Sequence, residues 1–384
     1  MPENPGLDRL GYVLFLTPQS SARYYRYTLK DTLFYDRQND PDSIYGMVGN
    51  FIEDVIISNV TISNSQIAIR GVPIYLIKNV TVNGVYFDSN IVNNDIQLLI
   101  SFSILVSVND AVFNNISFAE TANQVLRFEG FNSVLILSNI TFTNIDVFSK
   151  QAFLIQGSYQ QMVISGVTAQ NLTLDTDGLI VSIELATILQ VSLFHFTNIH
   201  SYDSDSTNNF MVDIVSMDLS AAFPSVIQYV TVSNSTTGVL KVQTLAGNLT
   251  ENNMLVVQDI TIADCNITNS VDLITLTSLT TYEPYSIVFT NLVFQNLEFL
   301  QGSNMLNFEH LISAPVQLVN SNFNNIKGGM ISMQSSSSSF TDLNTNLIMS
   351  NITANDINVK FGSLITLQTG AILSISYSSF TNIN

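Results

Sequence analysis

The chain of 384 residues holds one cysteine, Cys265, so no disulfide forms within it and a disulfide-stapled scaffold is excluded. Tryptophan is absent. Lys and Arg together number only 12 against 30 Asp and Glu, a formal net charge of −18. Phosphate backbones are held by clusters of Lys and Arg, so this balance excludes nucleic acid and anionic membrane surfaces as partners. Charged residues are only 11% of the chain and hydrophobic ones 46%, a mix too apolar for disorder and suited to strands. No run reaches the roughly 18 apolar residues of a membrane-spanning helix. The nearest, Ile96 to Val108, is broken by Gln97, Ser101, Ser103 and Ser107, and no membrane insertion is expected. The polar opening Met1-Pro-Glu-Asn-Pro does not read as a signal peptide. Asn-Gly, the strongest hairpin mark, occurs only at Asn83-Gly84, and no stretch of ten or more residues has helical spacing.

What the chain has instead is asparagine, about one residue in nine, placed in a repeat. Leu135 to Ile145 reads as two short alternating strands with a bend at Asn139 and a second at Asn144. Equivalents of Asn139 are Asn59, Asn79, Asp110, Gly166, Leu193, Tyr229, Asp259, Asn291, Asn320, Asn351 and Tyr377, at steps of 20 to 36 residues. Two residues before the bend every copy is apolar, as in Val108, Leu137 and Ile164, and three after it likewise, as in Phe113, Phe142 and Ala169. Five residues after the bend stand only Asn, Asp or Gly: Asn64, Gly84, Asn115, Asn144, Asn171, Asn198, Asn234, Asp264, Asn296, Asn325, Asp356 and Asn382. These are the residues that tolerate positive φ and bond to nearby backbone. A further apolar run precedes each pair, for example Ala152-Phe-Leu-Ile, so the expectation is three short strands per coil.

Self-similarity at a period near 29 is the mark of a solenoid. The fold expected is all-β: a right-handed parallel β-helix of about 12 coils over residues 51–384. Residues 1–50, with five basic residues, four prolines and no copy of the unit, are expected to form an N-terminal cap or an irregular first coil. The second asparagine column is expected to face inward as a ladder, each amide donating to one coil and accepting from the next: Asn64, Asn115, Asn144, Asn171, Asn198, Asn234, Asn296, Asn325 and Asn382. Polar runs at Ser201–Asn209, Gly247–Asn253, Thr280–Pro284 and Ser335–Ser339 are expected to be loops.

The Asn-Ile-Thr-Phe-Thr-Asn unit at 139–144 resembles the asparagine-rich coils of right-handed parallel β-helices of the pectin-lyase-like fold, and the Asn, Ser and Thr richness is similar to that of very large surface proteins of protists, ciliates especially. Enzymes of that fold, as the resemblance implies, are polysaccharide lyases and hydrolases that line a groove with paired carboxylates, or with Asp-bound calcium plus Arg or Lys. This sequence has no Asp-Asp pair, no Gly-His-Gly and no Arg-x-Lys, so no catalytic residues and no cofactor are expected. His195, His200 and His310 read as surface histidines, since no third ligand is spaced for a metal. Asp203-Ser-Asp-Ser-Thr-Asn resembles half a calcium loop without its glycine turn and terminal Glu, and reads as a solvated loop, with calcium the alternative. Cys265 reads as a small buried hydrophobe.

Nine Asn-x-Ser/Thr sequons are present. Glycans are expected on Asn59, Asn79, Asn139 and Asn351, at the outward bend, and on Asn248 and Asn266. They are not expected on Asn115, Asn171 and Asn234, in the column read as inward. The function expected is a non-enzymatic extracellular or cell-surface structural glycoprotein, a rod-like subunit of a fibre, coat or appendage. The final unit, ending at Asn384 without a capping segment, points to head-to-tail stacking. The alternatives are an adhesin that binds carbohydrate or a cell-surface partner and, further off, a polysaccharide lyase or hydrolase.

Overall fold

The structure is a computed structural model. It describes residues 12–14, 25–35, 43–46, 52–63, 68–71, 77–89, 91–92, 98–101, 103–118, 124–129, 133–146, 153–174, 179–201, 210–218, 224–245, 254–268, 271–278, 286–299, 303–309, 315–334, 346–359, 363–367 and 371–384. Asn64, Asn248, His310, the Asp203 segment and the four expected loops, apart from Ser201, lie outside the described residues.

The chain divides into two compact units, Met1–Val181 and Ser182–Asn384. Each is a parallel β-solenoid, and among the described residues every secondary-structure element is a strand. A coil consists of one short strand and one long one. In the first unit the short strands run from Tyr12–Leu14 through Gln124–Glu129 to Phe153–Ser158, and the six long ones from Tyr25–Tyr35 to Gln161–Leu174. The second unit holds seven long rungs, from Ile188–Ser201 to Ile372–Ser376 with Ser379–Ile383. The rung count thus differs somewhat from the dozen aligned by sequence.

Pairing is parallel and in register. Leu137 lies beside Val108 on one side and Ile164 on the other, and Phe142 beside Phe113 and Ala169. The strand expected as two is one long strand, Val134–Asp146, folded at Asn139 and Asn144. Its burial explains how the core is kept. Leu135, Leu137, Ile140, Phe142 and Ile145 are all inside, at intervals of two, three, two and three residues. Alternation alone would send every second residue inward without interruption. Each positive-φ residue inserts one extra outward position, so the chain turns a corner and the next apolar residue still points in. Phe87, Phe113 and Phe142 stack along the interior of the first unit at 4.9 and 5.2 Å between ring centroids, within the offset-stacking range. Phe294 and Phe323 occupy the same column in the second unit at 5.4 Å.

Two expectations of register need correction. Ser58 pairs with Asn83 and Val60 with Val85, so the partner of Asn59 is Gly84, not Asn79. And although the alignment finds no copy of the unit before residue 51, the strand Tyr25–Tyr35 is one. Lys30 pairs with Ser58 and Thr32 with Val60, which places Asp31 (φ 51°) at the corner.

Candidate functional site: the two asparagine corners

Among the described residues all 22 non-glycine residues of positive φ, and Gly84 and Gly166, fall into two columns five residues apart within each unit. The first corner holds Asp31, Asn59, Gly84, Asp110, Asn139 and Gly166 in the first unit. In the second unit it holds Leu193, Tyr229, Asp259, Asn291, Asn320, Asn351 and Tyr377. The second corner holds Ser89, Asn115, Asn144 and Asn171, then Asn198, Asn234, Asp264, Asn296, Asn325, Asp356 and Asn382. L-residues pay about 1–2 kcal/mol in this region, and Asn and Asp pay least because their short polar side chains bond locally.

At both corners the amides form ladders in which a later rung donates to an earlier one. In the first corner Asn59 Nδ2 donates to Asp31 Oδ1 (2.9 Å), Asn139 to Asp110 (3.0 Å), Asn291 to Asp259 (2.9 Å) and Asn351 to Asn320 (2.8 Å). In the second, Asn171 donates to Asn144 (3.0 Å), Asn234 to Asn198, Asn296 to Asp264 (2.7 Å), Asn325 to Asn296 (2.9 Å) and Asn382 to Asp356 (2.8 Å). Asn144 donates to Asn114, and Asn115 to Asp88. Five of these bonds end on a corner Asp. A carboxylate only accepts, so it suits the rung at which a run of donors begins. After Asn59 and Asn139 comes glycine, because the carboxamide oxygen of each lies where the next Cβ would stand, 3.0 Å from it at Gly84 and 2.8 Å at Gly166.

The facing expected for the second corner is overturned. Asn115, Asn144, Asn171, Asn234, Asn296, Asn325 and Asn382 are exposed and Asn198 is half-buried. The column admits so few residue types because of its backbone conformation and its ladder, with the side chains in solvent. The sequons of both corners therefore stand alike: Asn59, Asn139 and Asn351 are exposed, and so are Asn115, Asn171 and Asn234. Asn266, two residues past Asp264, is exposed as well. Asn79 is not at a corner. It is half-buried and donates to Asp54 Oδ1 (2.9 Å), whose other oxygen takes the Arg26 guanidinium at 2.8 Å. These two donors, Asn79 first, hold the Asp54 carboxyl below its ordinary range.

Two other surfaces carry chemistry that the sequence alone does not single out. Between the corners of the second unit lies a groove of about 370 Å³ whose lining includes Val293, Gln295, Asn322, Asn324, Thr353 and Asn355. The outer face of the short-strand sheet bears a polar row in register: Asp213 beside Lys241, Lys241 beside Thr275, Thr275 beside Asn307. Burial raises Asp213, with Lys241 opposing. Asn307, 5% exposed, donates to Glu309 Oε1 (3.0 Å), which also pairs with Thr277 through Oε2 (3.2 Å). Asp272 accepts the Asn304 amides and is likewise raised, by burial first and by the charge of Glu309 among lesser causes. Periodicity hides these residues because their neighbours along the row come from rungs about thirty residues away.

Among the described residues no three His, Cys, Asp or Glu side chains gather as a metal site, and no helix is long and apolar enough to cross a membrane. His195 and His200 are exposed. Cys265 is 3% exposed, donates to the Ala263 carbonyl, and burial pushes its thiol up to about 11. A thiol so placed is inert as a nucleophile. No protein-family model matches the chain, and no curated protein matches its sequence.

Proposed function

We propose that the chain is a non-enzymatic structural glycoprotein of the cell surface or extracellular space, a right-handed coil of the pectin-lyase-like type that builds a fibre, coat or appendage. The observation that carries this reading is where the repeated residues are spent. Asparagine is used, rung after rung, to tie one coil to the next at two exposed corners, and seven of its sequons stand in solvent there or close by. N-linked sugars place such a chain in the secretory route.

The test is light scattering and cryo-electron microscopy of the secreted chain across concentrations, with and without glycosidase. The expected result is a mass that falls on deglycosylation and assemblies that lengthen with concentration. A monodisperse, sugar-free monomer at every concentration overturns the reading.

A second reading, a carbohydrate-binding adhesin, is favoured by the amide- and hydroxyl-lined groove at Gln295, Asn322 and Thr353. Pockets of a few hundred Å³ with several convergent polar groups suit small ligands. Titration with neutral oligosaccharides decides it: heat that Asn322→Ala abolishes supports the adhesin, and none overturns it.

A further inference from the structure

The sequons are not scattered evenly over the corners. In the first unit they stand at Asn59 in the first corner, Asn115 in the second, Asn139 in the first and Asn171 in the second. Between Asn115 and Asn171, the second-corner residue of the intervening rung is Asn144, followed by Ile145 and Asp146, which is no sequon. In the second unit Asn234 is flanked on its own corner by Asn198, followed by Ile-His, and by Asp264. Asn351 is flanked by Asn320, followed by Ser-Asn, and by Tyr377. No rung bears a sequon at both corners, and within a unit no corner bears them on neighbouring rungs; the exposed sequon Asn266, on the rung next to Asn234, stands two residues past the corner at Asp264.

We infer that Asn115, Asn171 and Asn234 carry N-linked glycans alongside Asn59, Asn139 and Asn351, in a staggered array that keeps sugars on one corner at least two rungs apart. This rests on the reading of the chain as a secreted glycoprotein. Neighbouring strands lie about 4.8 Å apart, so two rungs give roughly 9.6 Å. A branched sugar does not fit within one rung spacing, and it does fit within two. The ladder and the sugar are compatible at one nitrogen. A carboxamide has two N–H bonds, and Asn171 Nδ2 uses one toward Asn144 Oδ1 at 3.0 Å. In glycosylation the other is replaced. The bond from sugar C1 to the diphosphate of a lipid-linked oligosaccharide breaks, a C1–Nδ2 bond forms, one amide proton leaves and the lipid diphosphate departs. The positive φ of the corner carries the side chain out from the coil, with the apolar neighbours Ile116 and Leu172 buried.

Transfer takes place on the nascent chain, so crowding is read in folding and stability rather than in attachment. The full chain is made in a secretory host with N-glycosylation and, in parallel, in a cytosol without it. Sites are mapped by mass spectrometry after enzymatic release in heavy-oxygen water. The expected result is occupancy of Asn115, Asn171 and Asn234 comparable with that of Asn59 and Asn139. Asp146→Thr creates a sequon at Asn144 between two occupied neighbours. Its secreted yield is expected to drop at least fivefold relative to Asp146→Ala, while the sugar-free cytosolic Asp146→Thr melts with Asp146→Ala. Bare Asn115, Asn171 and Asn234 beside sugared Asn59 and Asn139 overturn the array and leave the glycoprotein standing. Three sugars on adjacent rungs at undiminished yield overturn the spacing argument. No sugar at any site removes the glycoprotein reading itself.

Discussion

The two corners share one backbone conformation and differ in what they accept. Their non-glycine φ values all lie between 47° and 58°. Yet the first corner takes Gly84, Gly166, Leu193, Tyr229 and Tyr377, and the second takes only Asn and Asp apart from Ser89. Backbone strain is common to both, so it cannot be the cause of the difference. Hydrogen bonding can. Asn144 in the second corner is bonded on both sides, donating to Asn114 and accepting from Asn171. Asn139 in the first corner donates to Asp110, and its oxygen then occupies the space above it that Gly166 leaves open. The second corner holds runs of two bonds, Asn171 to Asn144 to Asn114 and Asn325 to Asn296 to Asp264, and the first holds single bonds, so an unsuitable residue in the first corner breaks less.

The largest effect that tests this contrast is a β-branched residue at each corner. Asn139→Val loses one ladder bond and forces an unfavourable φ, about 2 kcal/mol together. Asn144→Val forces the same φ and loses two bonds, about 3 kcal/mol. Urea denaturation of the two variants is expected to rank them in that order. Equal losses would assign the selectivity of the second corner to something other than its ladder.

The same contrast shows what could be read from residues alone. The inward columns were legible because Leu137, Ile140 and Phe142 must keep their phase through each corner, and that phase is written in apolar spacing. Facing at the corners was not. An Asn records a tolerated φ, and Asn144 in water needs that φ as much as a buried one would. The misplacement of Asn79 has a definite cause. The in–out pattern repeats after five residues, the distance between corners, so a shift of five lays one corner on the other without disturbing an apolar column. Only pairing of Val60 with Val85 resolves it. The coil at Tyr25–Tyr35 was hidden by Thr32, which stands where Val60 and Ile140 stand in later rungs. The polar row at Asp213, Lys241 and Asn307 had no local signal, since its neighbours meet only through the sheet.

A smaller effect, of opposite sign, is expected where the first corner is least suited to its occupant. Tyr229 is held at φ 56° with its side chain 49% exposed, and its corner neighbours Leu193 and Asp259 offer no amide donor. Tyr229→Asn, made in a cytosol without N-glycosylation because Val230 and Thr231 would complete a sequon, therefore relieves strain without adding a ladder bond and is expected to stabilise by about 1 kcal/mol. Thermal melting checks it. A lower melting temperature would mean that the tyrosine ring makes contacts worth more than the strain it causes.

The smallest effect separates the exposed carboxylates of the corners from the half-buried one at Asp272. Burial raises the folded pKa of Asp272 above its ordinary 3.8, and the charge of Glu309 adds to this. As pH rises, the unfolded chain ionises this group first. Its favourable contribution is complete below 3.8, is lost as pH climbs through the raised folded value, and changes no further above it. Asp272→Asn keeps a carbonyl oxygen for the two Asn304 donors and removes the titration. The variant is expected to match or exceed the parent at neutral pH by an amount on the order of 1 kcal/mol for each pKa unit of the original shift. Its advantage is expected to vanish at acid pH, where the parent's carboxyl is protonated in both states. Denaturation profiles from pH 3 to 7, about the span over which a raised carboxyl titrates, check the sign. An advantage that persisted at the acid end would point to packing around Asn304, whose amide oxygen already fills the space above it at Gly329, rather than to charge.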